Sequence, residues 1–269
     1  MKLDLKTKTR QLRKKSKVIV GAVGIWFSSL AFVHADWTLQ SSTRIETASP
    51  AITLVRKTVT GDRDVEIHVV FFDIRKCDLR VIDHPGMSGD LEGAMLENKC
   101  LAGVNGNYFH PDRTSLGLVI SDGSEVHALE RAKLLSGILT TGPGHFSLLR
   151  VAEFTPGKSI TQALQAGPFF IDKGAAVSGL EASRRAERTV VLSDGKYLGA
   201  LLICRSATLA ETAAILATPG IIGEMHITRA LNLDGGSSTG MWVDALPKPL
   251  YLPELSSVRN YLALVPHAR

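Results

Sequence analysis

Arg229-Ala230-Leu231-Asn232-Leu233-Asp234-Gly235-Gly236-Ser237-Ser238-Thr239-Gly240-Met241-Trp242 changes character at its centre. Its first half is an alternating apolar run, the pattern of a buried strand. At Asp234 that run breaks into two glycines and three hydroxyl residues. Glycine adopts backbone conformations closed to other residues and lets a ligand approach the main chain. Hydroxyls and freed backbone N–H groups can hold anionic oxygens. The Asp234 carboxylate is expected at the mouth of this strand-to-loop turn. A plain Asx turn without chemistry has the same local signature, so the surroundings must decide between them.

Upstream, Thr208-Leu209-Ala210-Glu211 is a capping box that opens a helix over 208–217, ended by Pro219-Gly220. Before it, Arg188-Thr189-Val190-Val191-Leu192-Ser193 and Lys196–Cys204 form a hairpin across Asp194-Gly195. A charged loop, Glu181 to Glu187, precedes Arg188. An arginine at the start of a buried strand is held rigid, and its fork then suits phosphate. Ser159–Gln165 reads as a short helix leading into Gln165-Ala166-Gly167-Pro168, a Gly-Pro break. Earlier still, Val104-Asn105-Gly106-Asn107-Tyr108-Phe109 runs from a short buried strand into a polar turn. Amides hydrogen-bond sugar hydroxyls and aromatic faces pack on sugar rings; a plain turn is the alternative.

The rest is strand-rich. Ile52–Val59 and Val65–Ile74 are strands, with His68 on the polar side of the second and so expected to be exposed. Asp122-Gly123 and Gly142-Pro143-Gly144 mark further hairpins, where His127 and His145 have no evident partner. Ser88–Lys99 reads as a helix capped by Ser88 or Asp90. Residues 36–50 are polar and poorly patterned, a linker or irregular start. Many hairpins and about three helices make the class α+β, in a single mixed domain over 65–269 behind a lead-in over 36–64.

Of 31 basic and 26 acidic residues, eight and one fall in residues 1–35. The remaining 23 and 25 leave residues 36–269 near −2, with no basic signature for nucleic acid. The basic N-terminal stretch, the apolar run Val18–Val33 and Val33-His34-Ala35 read as a signal peptide over 1–35. A periplasmic or secreted body follows, with no stable membrane span after signal removal; an uncleaved anchor is the alternative. Export permits a disulfide, for which Cys77 and Cys100 are the expected pair, with Cys204 a buried thiol. No zinc-like spacing occurs, and neither a cofactor nor a metal is expected.

Taken in order, the segments at 104–109, 165–168, 188–189 and 231–238 resemble the phosphodiester glycosidase family over roughly residues 65–265. This is the family of the lysosomal uncovering enzyme, N-acetylglucosamine-1-phosphodiester α-N-acetylglucosaminidase, and of many exported bacterial proteins. The resemblance implies a mixed α+β fold and cleavage of a sugar-1-phosphodiester at its glycosidic bond. It places the site at Asn105, Gly106, Gly167, Arg188, Thr189, Asp234, Gly235, Gly236 and Ser237, to which Asn107 and Ser238 are adjacent. Asp234 and Arg188 are the expected catalytic pair. Asn107 stands where the family often has a small residue, and the stretch Gly220–Thr228 is longer than the family pattern. Asp172 and Glu187 are the carboxylates nearest to these motifs in sequence. The competing readings are a non-catalytic carbohydrate-binding protein and a serine hydrolase using Ser237 or Ser238, which lacks a Gly-x-Ser-x-Gly signature.

Overall fold

The computed structural model describes residues 36–267. The expected signal peptide lies outside the described residues. Three antiparallel sheets make up the body. The largest runs β1 (Thr38–Ile45), β2 (Ile52–Thr60), β3 (Asp64–Asp73), β14 (Leu198–Ala207), β13 (Ala186–Ser193), β15 (Arg229–Asn232), β11 (Phe169–Asp172) and β12 (Ala175–Ala176). A second is ordered β7 (Ser124–His127), β6 (Val119–Ser121), β10 (Gln162–Ala166), β8 (Gly137–Gly142) and β9 (His145–Arg150). The third is ordered β17 (Leu250–Leu252), β16 (Met241–Val243), β5 (Ala102–Asn105), β18 (Asn260–Pro266) and β4 (Cys77–Asp83).

All three sheets turn one face onto a shared core, to which Leu54, Phe72, Leu79, Val104, Leu139, Leu164, Val191, Leu231 and Leu262 contribute. The other face of the large sheet is also covered. Helix α2 (Leu209–Ala217) and the segment Ile221–Ile227 pack there against Ile67, Val69, Val190 and Leu202. Helix α1 (Leu91–Glu97) covers the back of the third sheet, against Trp242 and Tyr261. Asp90 caps α1 through the Gly93 N–H at 2.8 Å, and Thr208 and Glu211 form the expected capping box on α2.

The chain is thus strand-rich with two α-helices among the described residues, not about three. Ser159–Gln165 is the difference: Gln162–Ala166 is strand β10, held between β6 and β8. Long-range pairing outweighs the local helix signal there. The polar stretch 36–50 contains edge strand β1, almost wholly exposed, which explains its lack of apolar alternation. His68 is buried, because β3 lies inside a sheet covered on both faces. Cys77 and Cys100 are not paired; all three cysteines are free and buried.

Candidate functional site

Four chain segments meet where strands of the large and third sheets end. Asn105 closes β5, and its side chain is the hub. Its Nδ2 donates to the Asp234 carbonyl at 2.7 Å, and its Oδ1 accepts from the Thr189 hydroxyl at 2.7 Å and the Gly240 N–H at 3.2 Å. Asp234 is pinned again where its own N–H donates to the Gly106 carbonyl at 3.1 Å. Gly106 must lack a side chain, since a Cβ there would lie 1.8 Å from Asn260 Oδ1. Asn260 in turn holds Asn107, donating from Nδ2 to Asn107 Oδ1 at 2.7 Å and accepting the Asn107 N–H at 3.0 Å. Asn107 Nδ2 donates to the Leu116 and Gln165 carbonyls. Asn105, Asn107 and Thr189 therefore spend their polar groups on the frame.

Asp234 leaves β15 into the 3-10 turn Gly236–Ser238. Its Oδ1 accepts the Gly235 N–H at 2.8 Å, so that amide serves the carboxylate itself. The Gly236 amide, first in the turn, has no intrahelical partner. Ser237 is exposed and Ser238 is buried. Burial raises the Asp234 carboxyl above its ordinary value, while Ser238 and the Gly235 amide pull the other way.

Arg188 starts the buried part of β13. Its Nε donates to the Ala207 carbonyl at 2.8 Å and its Nη2 to the Arg184 carbonyl at 2.7 Å. Two neutral acceptors fix the fork without cancelling its charge. No ion pair with a carboxylate involves Arg188 among the described residues. Burial lowers its affinity for the proton, with Glu181 and Tyr108 opposing that shift.

Tyr108 and Asn232 complete the group, and reading the motifs alone did not single them out. The Tyr108 hydroxyl donates to the Gly167 carbonyl at 2.8 Å and accepts from Asn232 Nδ2 at 2.6 Å. Burial first, and then the Asp234 charge, push the phenol up, while Arg188 pulls it down. Gly167 has φ of +153°, and a Cβ there would lie 2.2 Å from the Leu134 carbonyl oxygen. Tyr108 and Asn232 lie inside the motifs at 104–109 and 231–238, where sequence pattern marks one as an aromatic face and the other as a strand residue.

The other expected carboxylates are engaged with arginines. Asp172 sits at the far end of β11 from Pro168 and is paired with Arg150 at 2.8 Å and Arg229 at 3.1 Å. Glu187 pairs with Arg205 at 3.4 Å, and its backbone carbonyl packs under Gly235. Two clefts, of about 800 Å³ beside Asp78, Gln162 and His267 and about 650 Å³ along α1, include none of the motif residues. Size alone does not favour Asp234 and Arg188. A desolvated carboxylate, with the side chain of the carbonyl-held Arg188 packed against the adjoining Gly235, is the chemically poised group.

The phosphodiester glycosidase family pattern matches residues 98–265, which contain every segment above. No curated protein matches the sequence. A crystal structure of a hypothetical protein from Synechocystis has a TM-score of 0.63 at 14% identity, over 86% of this chain and 68% of that one. The zebrafish N-acetylglucosamine-1-phosphodiester alpha-N-acetylglucosaminidase catalytic domain, auto-inhibited by its pro-peptide, has a TM-score of 0.59 at 18% identity, over 85% of this chain and 88% of that one. These likenesses establish a shared fold, and the match over 98–265 covers more than half the sequence. The chain belongs to the phosphodiester glycosidase family.

Proposed function

We propose that the protein is an exported hydrolase, periplasmic or secreted, that cleaves the glycosidic bond of a sugar-1-phosphodiester. The sugar is N-acetylglucosamine-like, and the setting is exopolysaccharide or cell-wall polymer metabolism. The observation that carries this is Arg188: a guanidinium held by two carbonyls, its side chain packed against Gly235, the residue next to Asp234.

The chemistry follows from the leaving group. As the anomeric C–O bond breaks, its electron pair goes to a phosphate oxygen, and water finally supplies the new hydroxyl. A phosphate ester departs as a weak base, so protonation by a second carboxyl group is not needed. Charge stabilisation takes its place, as at other developing oxyanions. Arg188 meets the phosphate oxygens, with the Gly236 N–H and the Ser237 hydroxyl in supporting positions. Asp234 opposes the positive charge that builds at the anomeric carbon. One carboxylate and one cation suffice, which fits a site where Asp172 and Glu187 are engaged with other arginines.

The test is incubation of the purified protein with a panel of sugar-1-phosphodiesters, following free reducing sugar, with Asp234→Asn as control. Release that disappears in the variant supports the hydrolase; equal release from the variant removes Asp234 from the reaction. The same arrangement, with Asp172 and Glu187 paired to arginines, also suits a carbohydrate-binding protein on this scaffold. Saturable glycan binding with no product after long incubation would establish that instead.

A further inference from the structure

The turn that follows Asp234 is held only weakly by its own hydrogen bonds. The Ser238 N–H reaches the Gly235 carbonyl at 3.4 Å, and the Thr239 N–H reaches the Gly236 carbonyl at 3.2 Å. Both are long for N–H···O bonds, and 3-10 geometry is poor to begin with. Shorter bonds come from outside the turn. The Leu255 and Ser256 N–H groups, in the loop between β17 and β18, both donate to the Ser237 carbonyl, at 2.8 and 3.0 Å. The Ser237 backbone is therefore fixed from without, while its side chain stays exposed.

Glu254 holds that loop in place. Its Oε1 accepts the Leu91 N–H at 2.7 Å, one of the first amides of α1, which have no intrahelical partner. The Tyr251 hydroxyl donates to its Oε2 at 3.4 Å. Gly240, just past the turn, packs directly on it: a Cβ there would lie 3.0 Å from Glu254 Oε2 and 3.1 Å from Glu254 N. Leu91 is fully buried beside Trp242 and Tyr261, so the amide that Glu254 grips belongs to the core. Leu255, by contrast, is 86% exposed, so burial of its side chain does not place the loop. Contacts therefore run from α1 through the Glu254 carboxylate and the next two backbone amides to the Ser237 carbonyl. They end at the groups assigned above to the phosphate, the Ser237 hydroxyl and the Gly236 N–H. Groups of that kind must be held closely, since a misplacement of about 1 Å can cost about a hundredfold in rate.

Resting on the glycosidase reading above, we propose that Glu254 is the positioning residue for the phosphate side of the site. It touches no substrate. It sets the loop whose amides hold the Ser237 carbonyl, and so fixes where the Ser237 hydroxyl and the Gly236 N–H meet the departing phosphate oxygens. The role needs an acceptor for the Leu91 N–H, which glutamine supplies and alanine does not.

The experiment uses the wild-type protein, Glu254→Ala and Glu254→Gln. Titration calorimetry measures the binding of inorganic phosphate. Steady-state kinetics on the methyl phosphodiester of N-acetylglucosamine, well below every Tm, separate kcat from KM. Glu254→Ala is expected to weaken phosphate binding about fivefold and to lower kcat about tenfold or more, with KM raised less. Glu254→Gln is expected to restore both to within about twofold of wild type, since it keeps the bond to Leu91. Should Glu254→Ala not fold, Glu254→Asp, one methylene short of Leu91, takes its place with the same expectation. A lower Tm with unchanged phosphate affinity and unchanged kcat overturns the proposal and leaves Glu254 as a cap on α1. Equal losses in Glu254→Gln also overturn it, because charge and not the hold on Leu91 would then be at work. If wild type binds phosphate but hydrolyses no sugar phosphodiester, the glycosidase reading falls, and the phosphate affinities of the variants still decide on Glu254. A wild type that neither binds phosphate nor turns over substrate overturns both.

Discussion

Asn105 and Asp234, 129 residues apart in sequence, are joined by one short hydrogen bond from the Asn105 amide to the Asp234 backbone carbonyl. The carboxylate is thus aimed through its main chain, and the same amide also takes the Thr189 hydroxyl and the Gly240 N–H. Asn105→Ala strands the Asp234 carbonyl and the Gly240 N–H, while the Thr189 hydroxyl keeps Thr239 at 3.3 Å. It is expected to cost about 2–4 kcal/mol of stability, at about 1–3 kcal/mol for each orphaned group that water cannot reach. It should also lower kcat more than it raises KM. Urea denaturation and steady-state kinetics on the same preparation check both. Full activity in a destabilised Asn105→Ala protein would show that Asp234 is held by other contacts.

Burial of Asp234 has a signature in pH. In the proposed reaction the carboxyl must be ionised to face a positive anomeric centre, and burial raises its folded value above 3.8. Activity should therefore fall on acidification with a midpoint above the ordinary aspartate range. Stability runs the opposite way for this group. The folded state binds its proton more tightly than the unfolded state, so stability is lost as pH rises from the unfolded value through the folded one. Asp234→Asn, which keeps an acceptor for the Gly235 N–H, should be slightly more stable than wild type at neutral pH. That advantage should vanish below the unfolded value. Thermal melts of the pair across pH 3 to 7 read this directly, at about the range where carboxyl groups titrate.

Gln165 belongs to a motif that looks catalytic, yet its side chain is a fully buried clamp. Its Oε1 accepts the Leu118 and Glu130 N–H groups at 2.8 and 3.1 Å, and its Nε2 donates to the Glu130 and Leu135 carbonyls at 2.6 and 3.1 Å. Gln165→Leu orphans four backbone groups. A loss of about 3 kcal/mol or more is expected in chemical denaturation, since each such group costs about 1–3 kcal/mol. A stability change under about 1 kcal/mol would mean that water reaches these groups.

The three cysteines should be silent. Burial pushes each thiol up to about 12, which leaves almost no thiolate at neutral pH. A thiol reagent is expected to titrate none in the native protein and three after denaturation, and reductant should not move Tm. A reductant-dependent Tm would restore the Cys77–Cys100 bridge.

Much of this architecture was readable wherever local chemistry dominates. The Asp122-Gly123 and Asp194-Gly195 turns and the Thr208–Glu211 box involve neighbours in sequence, and each forms as its residues dictate. The misreadings share one cause, dependence on distant partners. β10 is a strand because β6 and β8 flank it, and His68 is buried because α2 and the shared core cover both faces of its sheet. β1 escapes periodicity analysis because neither of its faces is buried. At the candidate site, Asp234 and Arg188 stand out by residue type together with the family resemblance. That Asn107 and Thr189 belong to the frame follows only from their partners at Asn260 and Asn105.

The wiring of the site also orders events in time. The bonds that place Asp234, Asn107 and Tyr108 span 129, 153 and 59 residues, and they draw on all three sheets. Hairpins such as β6–β7 can close early, whereas these contacts must await the docking of sheets onto one another. During refolding, circular dichroism should recover ahead of turnover. Enzymatic activity would then report the finished molecule, and a collapsed chain with complete hairpins would still be inert.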